Sequence, residues 1–179
     1  MSKIVVLNGS PRKNGNTVKL VDAFVKGAES TGNQVTIFSA ADTKVNGCLA
    51  CDYCMRNEGN CVQKDDMQAI YDALYQADSV VFATPSYFFG MTAQIKAIID
   101  RFYASAVKPL PITSSALLVP LGGDPETDAA AAIVNYKSVL DYLKWEDKGM
   151  IIAGGVMDRD DIVGNPALSK AEELGKSFQ

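Results

Sequence analysis

Four side chains able to grip an anion, Ser10, Arg12, Asn16 and Thr17, fall within the run Ser10-Pro11-Arg12-Lys13-Asn14-Gly15-Asn16-Thr17. The run follows a short apolar stretch, Ile4-Val5-Val6-Leu7, and leads into Val18, Leu20, Val21, Phe24 and Val25 at helical spacing. A buried strand, a loop carrying hydroxyls and glycine, and then a helix make a phosphate cradle. Loop N–H groups, side-chain hydroxyls and the positive helix end converge on one point. Arg12 adds a charged fork matched to phosphate oxygens. The segment lacks the Gly-Lys-Ser/Thr ending of a nucleotide-hydrolysing loop and the three-glycine dinucleotide fingerprint. A well-capped helix start is the alternative reading; phosphate binding is favoured.

Cysteine supplies the other reactive chemistry. All four cysteines lie in one stretch, Cys48-x-x-Cys51-x-x-Cys54, then six residues, then Cys61. Three thiols so spaced can face one small volume if the backbone wraps around it, and the fourth can close the set. That suits a [4Fe–4S] cubane. Zinc sites more often bring two separated pairs, and free thiols or a disulfide are the remaining readings, the disulfide disfavoured in a reducing cytosol. The spacing departs from the bacterial ferredoxin run, and no proline follows Cys61. Histidine is absent, which excludes a Ser–His or Cys–His nucleophile pair, a His-ligated metal and imidazole acid–base chemistry. An enzyme built this way would take its difficult chemistry from a bound cofactor.

The elements that must position these residues alternate along the chain. Strands are predicted over Lys3–Leu7, Gln34–Phe38, Ser79–Thr84, Ala116–Leu121 and Gly149–Ala153; helices over Asn16–Thr31, Asp66–Gln76, Thr92–Ala106, Thr127–Trp145 and Pro166–Phe178. The strands are short, rich in Val, Ile and Leu and mostly not alternating, as when both sheet faces are covered. The expected fold class is α/β, a doubly wound five-stranded parallel sheet with helices on both faces. Ligands bind such sheets beyond the carboxyl ends of the strands, where the winding reverses. Three segments should line that edge: Asn8–Thr17, Pro85–Gly90 and Gly122–Asp124. The aromatics of Pro85-Ser86-Tyr87-Phe88-Phe89-Gly90 would be core plugs or subunit contacts in an ordinary loop, and beside a phosphate site they suit a flat aromatic ligand. Gly122 and Gly123 let backbone approach a ring closely, or mark a plain turn.

The chain has 179 residues, 47% of them hydrophobic, and a net charge of −4. This suits a single domain over residues 1–179, with a cysteine-containing insert at about 42–64. Scattered basic residues and negative net charge argue against a nucleic-acid partner. No stretch is long and apolar enough to span a membrane, and no signal-peptide pattern opens the chain, so a cytoplasmic location is expected. Asp65 reads as a helix cap. Asp158, Arg159, Asp160 and Asp161 read as a solvated turn. Tyr71, Tyr75, Tyr136, Tyr142 and Trp145 read as core or interface.

Taken together, the motifs resemble the flavodoxin-like NAD(P)H-dependent FMN reductases, close to the iron–sulfur flavoproteins. The residues that carry the resemblance are Gly9-Ser10-Pro11-Arg12 with Gly15-Asn16-Thr17, then Thr84 to Lys96 with Asp100-Arg101, then Gly122-Gly123. It runs to about Gly123, and more loosely to Gly164-Asn165-Pro166. The resemblance implies a flavodoxin-like fold and FMN held noncovalently, its phosphate on Ser10, Arg12, Asn16 and Thr17. The isoalloxazine would lie against Pro85, Ser86, Tyr87, Phe88, Phe89 and Gly90, with its pyrimidine edge near Gly122 and Gly123. It implies an FMN-dependent oxidoreductase that passes electrons from NAD(P)H to an acceptor such as a quinone, a flavin or a metal centre, with hydride arriving at flavin N5 and no protein acid or base. The alternative is a non-catalytic electron-transfer flavoprotein whose iron–sulfur cluster, on Cys48, Cys51, Cys54 and Cys61, relays electrons between partner proteins. Family members form dimers or tetramers, so a homodimer or homotetramer is expected. Flavodoxins proper carry a Thr-rich phosphate loop without Ser-Pro-Arg and are more acidic, which places this chain with the reductases.

Overall fold

Alternation along the strands decides the architecture, seen here in a computed structural model that describes residues 1–178. In β1 (Lys3–Asn8), Ile4 and Val6 point to one side of the sheet and Val5 and Leu7 to the other, and all four are buried. The same split recurs in β3 (Ser79–Ala83) and β4 (Ser114–Pro120), where Val80, Phe82, Leu117 and Val119 join one core and Val81, Ala83, Ala116 and Leu118 the other. A sheet apolar on both faces must be covered on both faces. With β2 (Gln34–Ser39) and β5 (Glu146–Ala153) at its edges, the sheet runs β2-β1-β3-β4-β5, every pair parallel. This is the five-stranded, doubly wound, flavodoxin-like order expected, with the winding reversing between β1 and β3.

On one face pack α1 (Asn16–Ser30) and α6 (Pro166–Lys176), through Leu20, Val21, Phe24, Ala28, Ala167 and Ala171. These two helices meet backbone to backbone. A Cβ on Gly27 would stand 1.9 Å from the Glu172 carbonyl oxygen, and one on Gly175 would stand 2.1 Å from that of Phe24. Glycine is required there by closeness alone. On the other face pack α3 (Met67–Leu74), α4 (Ala93–Arg101) and α5 (Ala130–Leu143), burying Ile70, Leu74, Ile95, Ile98, Tyr136 and Leu140.

Several boundaries differ from expectation. The helix expected over Thr92–Ala106 changes at Phe102 to a tighter 3₁₀ turn through Ala106. The fifth strand starts at Glu146 rather than Gly149; its charged opening residues hid an edge position, where one side faces water. The fourth strand starts at Ser114, two serines earlier than its apolar run, and Ser114 shares a hydroxyl hydrogen bond of 2.8 Å with Ser79. The fourth long helix begins at Ala130 because Asp124 folds Glu126 and Thr127 into a turn, accepting both their N–H groups. A short helix unread in the sequence, α2 (Tyr53–Arg56), lies inside the cysteine segment.

Candidate functional site

The loop after β1 is fastened before any ligand arrives. The Gly9 N–H donates to the Ala83 carbonyl at 2.7 Å, and Thr92 Oγ1 donates to the Gly9 carbonyl at 2.8 Å. A Cβ on Gly9 would sit 2.7 Å from both Thr92 Oγ1 and Ile95 Cβ, so only glycine lets the loop lie this close to α4. Asn8 Oδ1 then accepts the Ser10 N–H at 3.0 Å, and Ser10 Oγ accepts the Arg12 N–H at 3.2 Å, leaving the Ser10 hydroxyl hydrogen to donate outward. Gly15 is the N-cap of α1 and offers no side chain to it. Val18 and Lys19 donate to the Gly15 carbonyl, while the Asn16 and Thr17 N–H groups have no acceptor among the described residues. Two unclaimed donors at a helix N-terminus are an anion site in waiting.

A second wall comes from the loop after β3. Thr84 Oγ1 accepts the Thr92 N–H at 3.1 Å, and the Ser86 hydroxyl donates to the Asp128 carbonyl at 2.8 Å. Tyr87 and Gly90 exchange backbone hydrogen bonds of 2.9 and 3.3 Å around Phe88 and Phe89. Both phenylalanines stand at positive φ, +47° and +69°, the pattern of a turn that ordinarily selects Asn and Gly. Phe88 is 98% exposed and Phe89 mostly so.

These walls and the loop after β4 enclose a cleft of about 180 Å³. It brings together Ser10, Arg12, Asn16, Thr17, Pro85, Ser86, Tyr87 and Gly122. Phe88, Phe89, Gly90 and Gly123 do not line it. The two rings are turned outward by their backbone. Gly123 is closed over by Asp128, whose Oδ2 would lie 1.8 Å from a Cβ there, so it serves the turn rather than a ligand. Sequence reasoning missed Pro120, Leu121, Val156 and Met157, which with Gly15 complete the lining. Val156 and Met157 follow β5 directly and were open to the same carboxyl-edge rule.

Two polar groups act otherwise than expected. The Asn16 amide donates to the carbonyls of Asp158 at 2.9 Å and Val156 at 3.4 Å, tying the phosphate loop to the loop after β5. Its Oδ1 is buried with no partner, so Asn16 presents an acceptor. The charged loop after β5 is not a free solvated turn, since Asp160 pairs with Lys19 of α1 at 3.0 Å.

The cysteine segment differs in kind. Its neck is fixed: Lys44 and Asp66 exchange hydrogen bonds, and the Asn46 N–H donates to Asp65 Oδ2 at 2.9 Å. Arg101, 2% exposed, clamps both sides with Nη1 at 3.1 Å from the Asn46 carbonyl and 3.0 Å from Asp65 Oδ2. Asp65 accepts the Met67 N–H as a cap would, at 3.3 Å, but its main partner is this guanidinium. Burial alone would raise the Asp65 carboxyl; hydrogen bonds from Arg101, Asn46 and Met67 outweigh it and hold the group below the ordinary carboxylate range. Beyond the neck, Cys48 and Cys51 are exposed and Cys54 and Cys61 half-buried. Among the described residues no three His, Cys, Asp or Glu side chains converge as metal ligands. The expected set Cys48, Cys51, Cys54 and Cys61 is thus not drawn together as a complete ligand group, although Cys54 lies within electrostatic reach of both Cys48 and Cys61. Ala50, Asp52 and Glu58 within this segment all stand at positive φ.

Comparison with known proteins bears on both regions. A family model described as NADPH-dependent FMN reductase matches residues 2–130. An iron–sulfur flavoprotein of Archaeoglobus fulgidus is 33% identical over 98% of this chain and 78% of its own length. One from Methanocaldococcus jannaschii is 35% identical over 68% of this chain and 62% of its own length. Among solved structures, the NAD(P)H:quinone oxidoreductase from Methanothermobacter marburgensis superposes with a TM-score of 0.81 at 18% identity, covering 99% of this chain and 97% of that one; this likeness speaks to the fold. No helix among the described residues is long and apolar enough to cross a membrane.

Proposed function

Because the chain belongs to the NADPH-dependent FMN reductase family, we propose that it is an oxidoreductase passing electrons from NAD(P)H through FMN to an acceptor such as a quinone, a free flavin or a metal centre. The observation that carries this reading is the single cleft in which the unclaimed Asn16 and Thr17 N–H groups meet Pro85, Ser86, Tyr87 and Gly122. The two N–H groups, the Ser10 and Thr17 hydroxyls and Arg12 would hold the phosphate. The orphaned Asn16 Oδ1 is an acceptor that a ribityl hydroxyl would satisfy. Pro85 to Tyr87 give a wall for a flat ring, and Gly122 packs against Met157, where a Cβ would stand 2.7 Å from Cε. FMN, when bound, supplies hydride acceptance and electron delivery. The protein supplies position, exclusion of water and the charge that fixes the anionic end.

The exposed Phe88 and Phe89 give a second copy of the chain an apolar surface to cover, in keeping with a homodimer or homotetramer; light scattering reads the mass directly. Electron relay through a cluster draws support from the cysteine spacing and from the names of the relatives, and none from the thiol arrangement. Iron and acid-labile sulfide near zero after anaerobic reconstitution would end that alternative. The reductase reading is tested by loading the protein with FMN and adding NADPH anaerobically. Bleaching of the flavin absorbance within the mixing experiment is expected, and retention of the oxidised spectrum would refute the reading.

A further inference from the structure

The face that α4 and α5 share carries an apolar knob at one end and an apolar groove at the other. The knob is Phe88 with Phe89, whose rings meet edge to face at 5.7 Å. Both residues stand at positive φ, a backbone region that strains a bulky side chain. Both rings face water, Phe88 at 98% and Phe89 at 61% exposure, and a strained turn that presents two large rings calls for a surface that covers them. The groove, of about 280 Å³, lies between Ile99, Phe102 and Tyr103 on one side and Val139, Tyr142 and Leu143 on the other. Both helices run from the knob to the groove. Ala93 opens α4 three residues after Gly90, and α5 opens beside the same loop, because Ser86 donates to the Asp128 carbonyl. The far ends of the two helices form the groove. The stretch between is charged in a self-matching order. On α4 exposed Lys96 is followed four residues later by exposed Asp100, and on α5 exposed Lys137 by exposed Asp141. Lys96 pairs with Asp100 of its own helix and Asp141 with Lys144, and ion pairs so open to water hold their side chains weakly.

We propose that two copies of the chain join through this face, antiparallel about a twofold axis, with Phe88 and Phe89 of each copy seated in the groove of the other. A twofold contact needs every patch to find its complement on an identical surface. The antiparallel arrangement meets that need twice. It sets each knob against a groove, and it brings the lysines, which lie nearer the knob, to the partner's aspartates, which lie nearer the groove. A parallel arrangement would stack like charges and leave both grooves empty. Val134, 64% exposed one turn before Lys137, adds apolar surface between the two ends. The proposal rests on the homo-oligomer reading above and gives it a surface and a geometry; it is independent of the redox reading.

The test is the mass in solution, read by light scattering on the eluting full chain, for the wild type, Phe88→Lys at the knob and Tyr142→Glu at the groove. Both substitutions replace exposed side chains, so circular dichroism should show both variants folded. The wild type should run at twice the mass of one chain or a multiple of that, and each variant alone at half the wild-type mass. Mixing the two variants should restore the wild-type mass. In the mixed pair one contact joins an unaltered knob to an unaltered groove, and the other sets the introduced lysine against the introduced glutamate. A knob that met a second knob, or some other surface, would gain nothing from the mixture. A monomeric wild type would overturn both this proposal and the homo-oligomer reading and leave the redox reading untouched. An oligomeric wild type with a variant that keeps its mass, or with a mixture that stays dissociated, would overturn this proposal alone.

Discussion

Two loops leave neighbouring strands of one sheet and come out differently prepared. Residues 9–15 follow β1, which has β2 on one side and β3 on the other. The loop is fastened to Ala83 of β3 and to Thr92 at the start of α4 before it reaches the ligand. The cysteine segment follows β2, the edge strand, whose only neighbour is β1. It has no second strand to lean on and hangs from a neck clamped by Arg101 and Asp65. The loop after β1 is therefore held in place by the sheet, while the thiol segment is organised only at its base. Pre-formed N–H donors cost nothing to reorganise on binding; the four thiols, two exposed and two half-buried, are not drawn together in advance as a ligand group.

The largest effect is expected at the neck. Asp65→Asn leaves the buried Arg101 guanidinium without its counter-charge, which costs about 3–5 kcal/mol when one partner of a buried pair is removed. Denaturant unfolding should show that loss, and hydrogen exchange should show residues 44–66 opening while residues 9–15 keep their protection. Loss of protection in both loops would mean that they are one unit and would dissolve the contrast. The same pair sets an acid limb. The Asp65 carboxyl is lowered in the folded state, so its contribution is full above the unfolded value of about 3.9 and fades as pH falls through the lower folded value. Stability of the wild type should decline there, and Asp65→Asn should flatten the decline.

At the anion site the expected change is smaller and falls on binding rather than folding. The Arg12 side chain is exposed and makes no hydrogen bond or ion pair among the described residues, so Arg12→Ala should leave the melting temperature in place. FMN affinity should drop by about 1.5–3 kcal/mol, the range for a charged hydrogen-bond partner, measured by quenching of flavin fluorescence. Unchanged affinity would mean that the hydroxyls and helix N–H groups hold the phosphate alone.

The contrast also explains what could be read in advance. Strand-loop-helix order and the Ser10 to Thr17 residue types pointed to the cleft that Ser10, Arg12, Asn16 and Thr17 line, because chain-local chemistry and sheet topology both lead to one edge. Val156 and Met157 escaped notice since nothing in their types signals a lining role; only the strand order brings them round. Asn16 was assigned to the ligand, yet its amide spans 142 positions to Asp158, a contact that no local pattern encodes. Cys48, Cys51 and Cys54 have spacing that allows convergence, but spacing is permissive. Whether the thiols meet depends on the φ of the residues between them, and Ala50 and Asp52 carry no sign of their left-handed backbone. The Arg101–Asp65 pair was hidden for the opposite reason: an acidic residue at a helix start has a sufficient local explanation, so its distant partner went unsought.

The smallest predicted effect addresses that left-handed backbone. Ala50 stands at φ +50° between Cys48 and Cys51, and its N–H lies 3.4 Å from Cys48 Sγ. An alanine there carries strain of about 1 kcal/mol that glycine would not. Glycine also loses more freedom on folding, about 0.5–1 kcal/mol, so the two terms nearly cancel. Ala50→Gly should change global stability by no more than about 0.5 kcal/mol and should instead alter the thiols. Maleimide labelling of the wild type should show Cys48 and Cys51 reacting quickly and the half-buried Cys54 and Cys61 slowly. In Ala50→Gly the first pair should react at a changed rate, because their relative orientation is set by this residue, while the second pair keeps its rate. Uniform protection of all four thiols in the wild type would show instead that one partner unites them, and the segment would then be as fully prepared as the loop after β1.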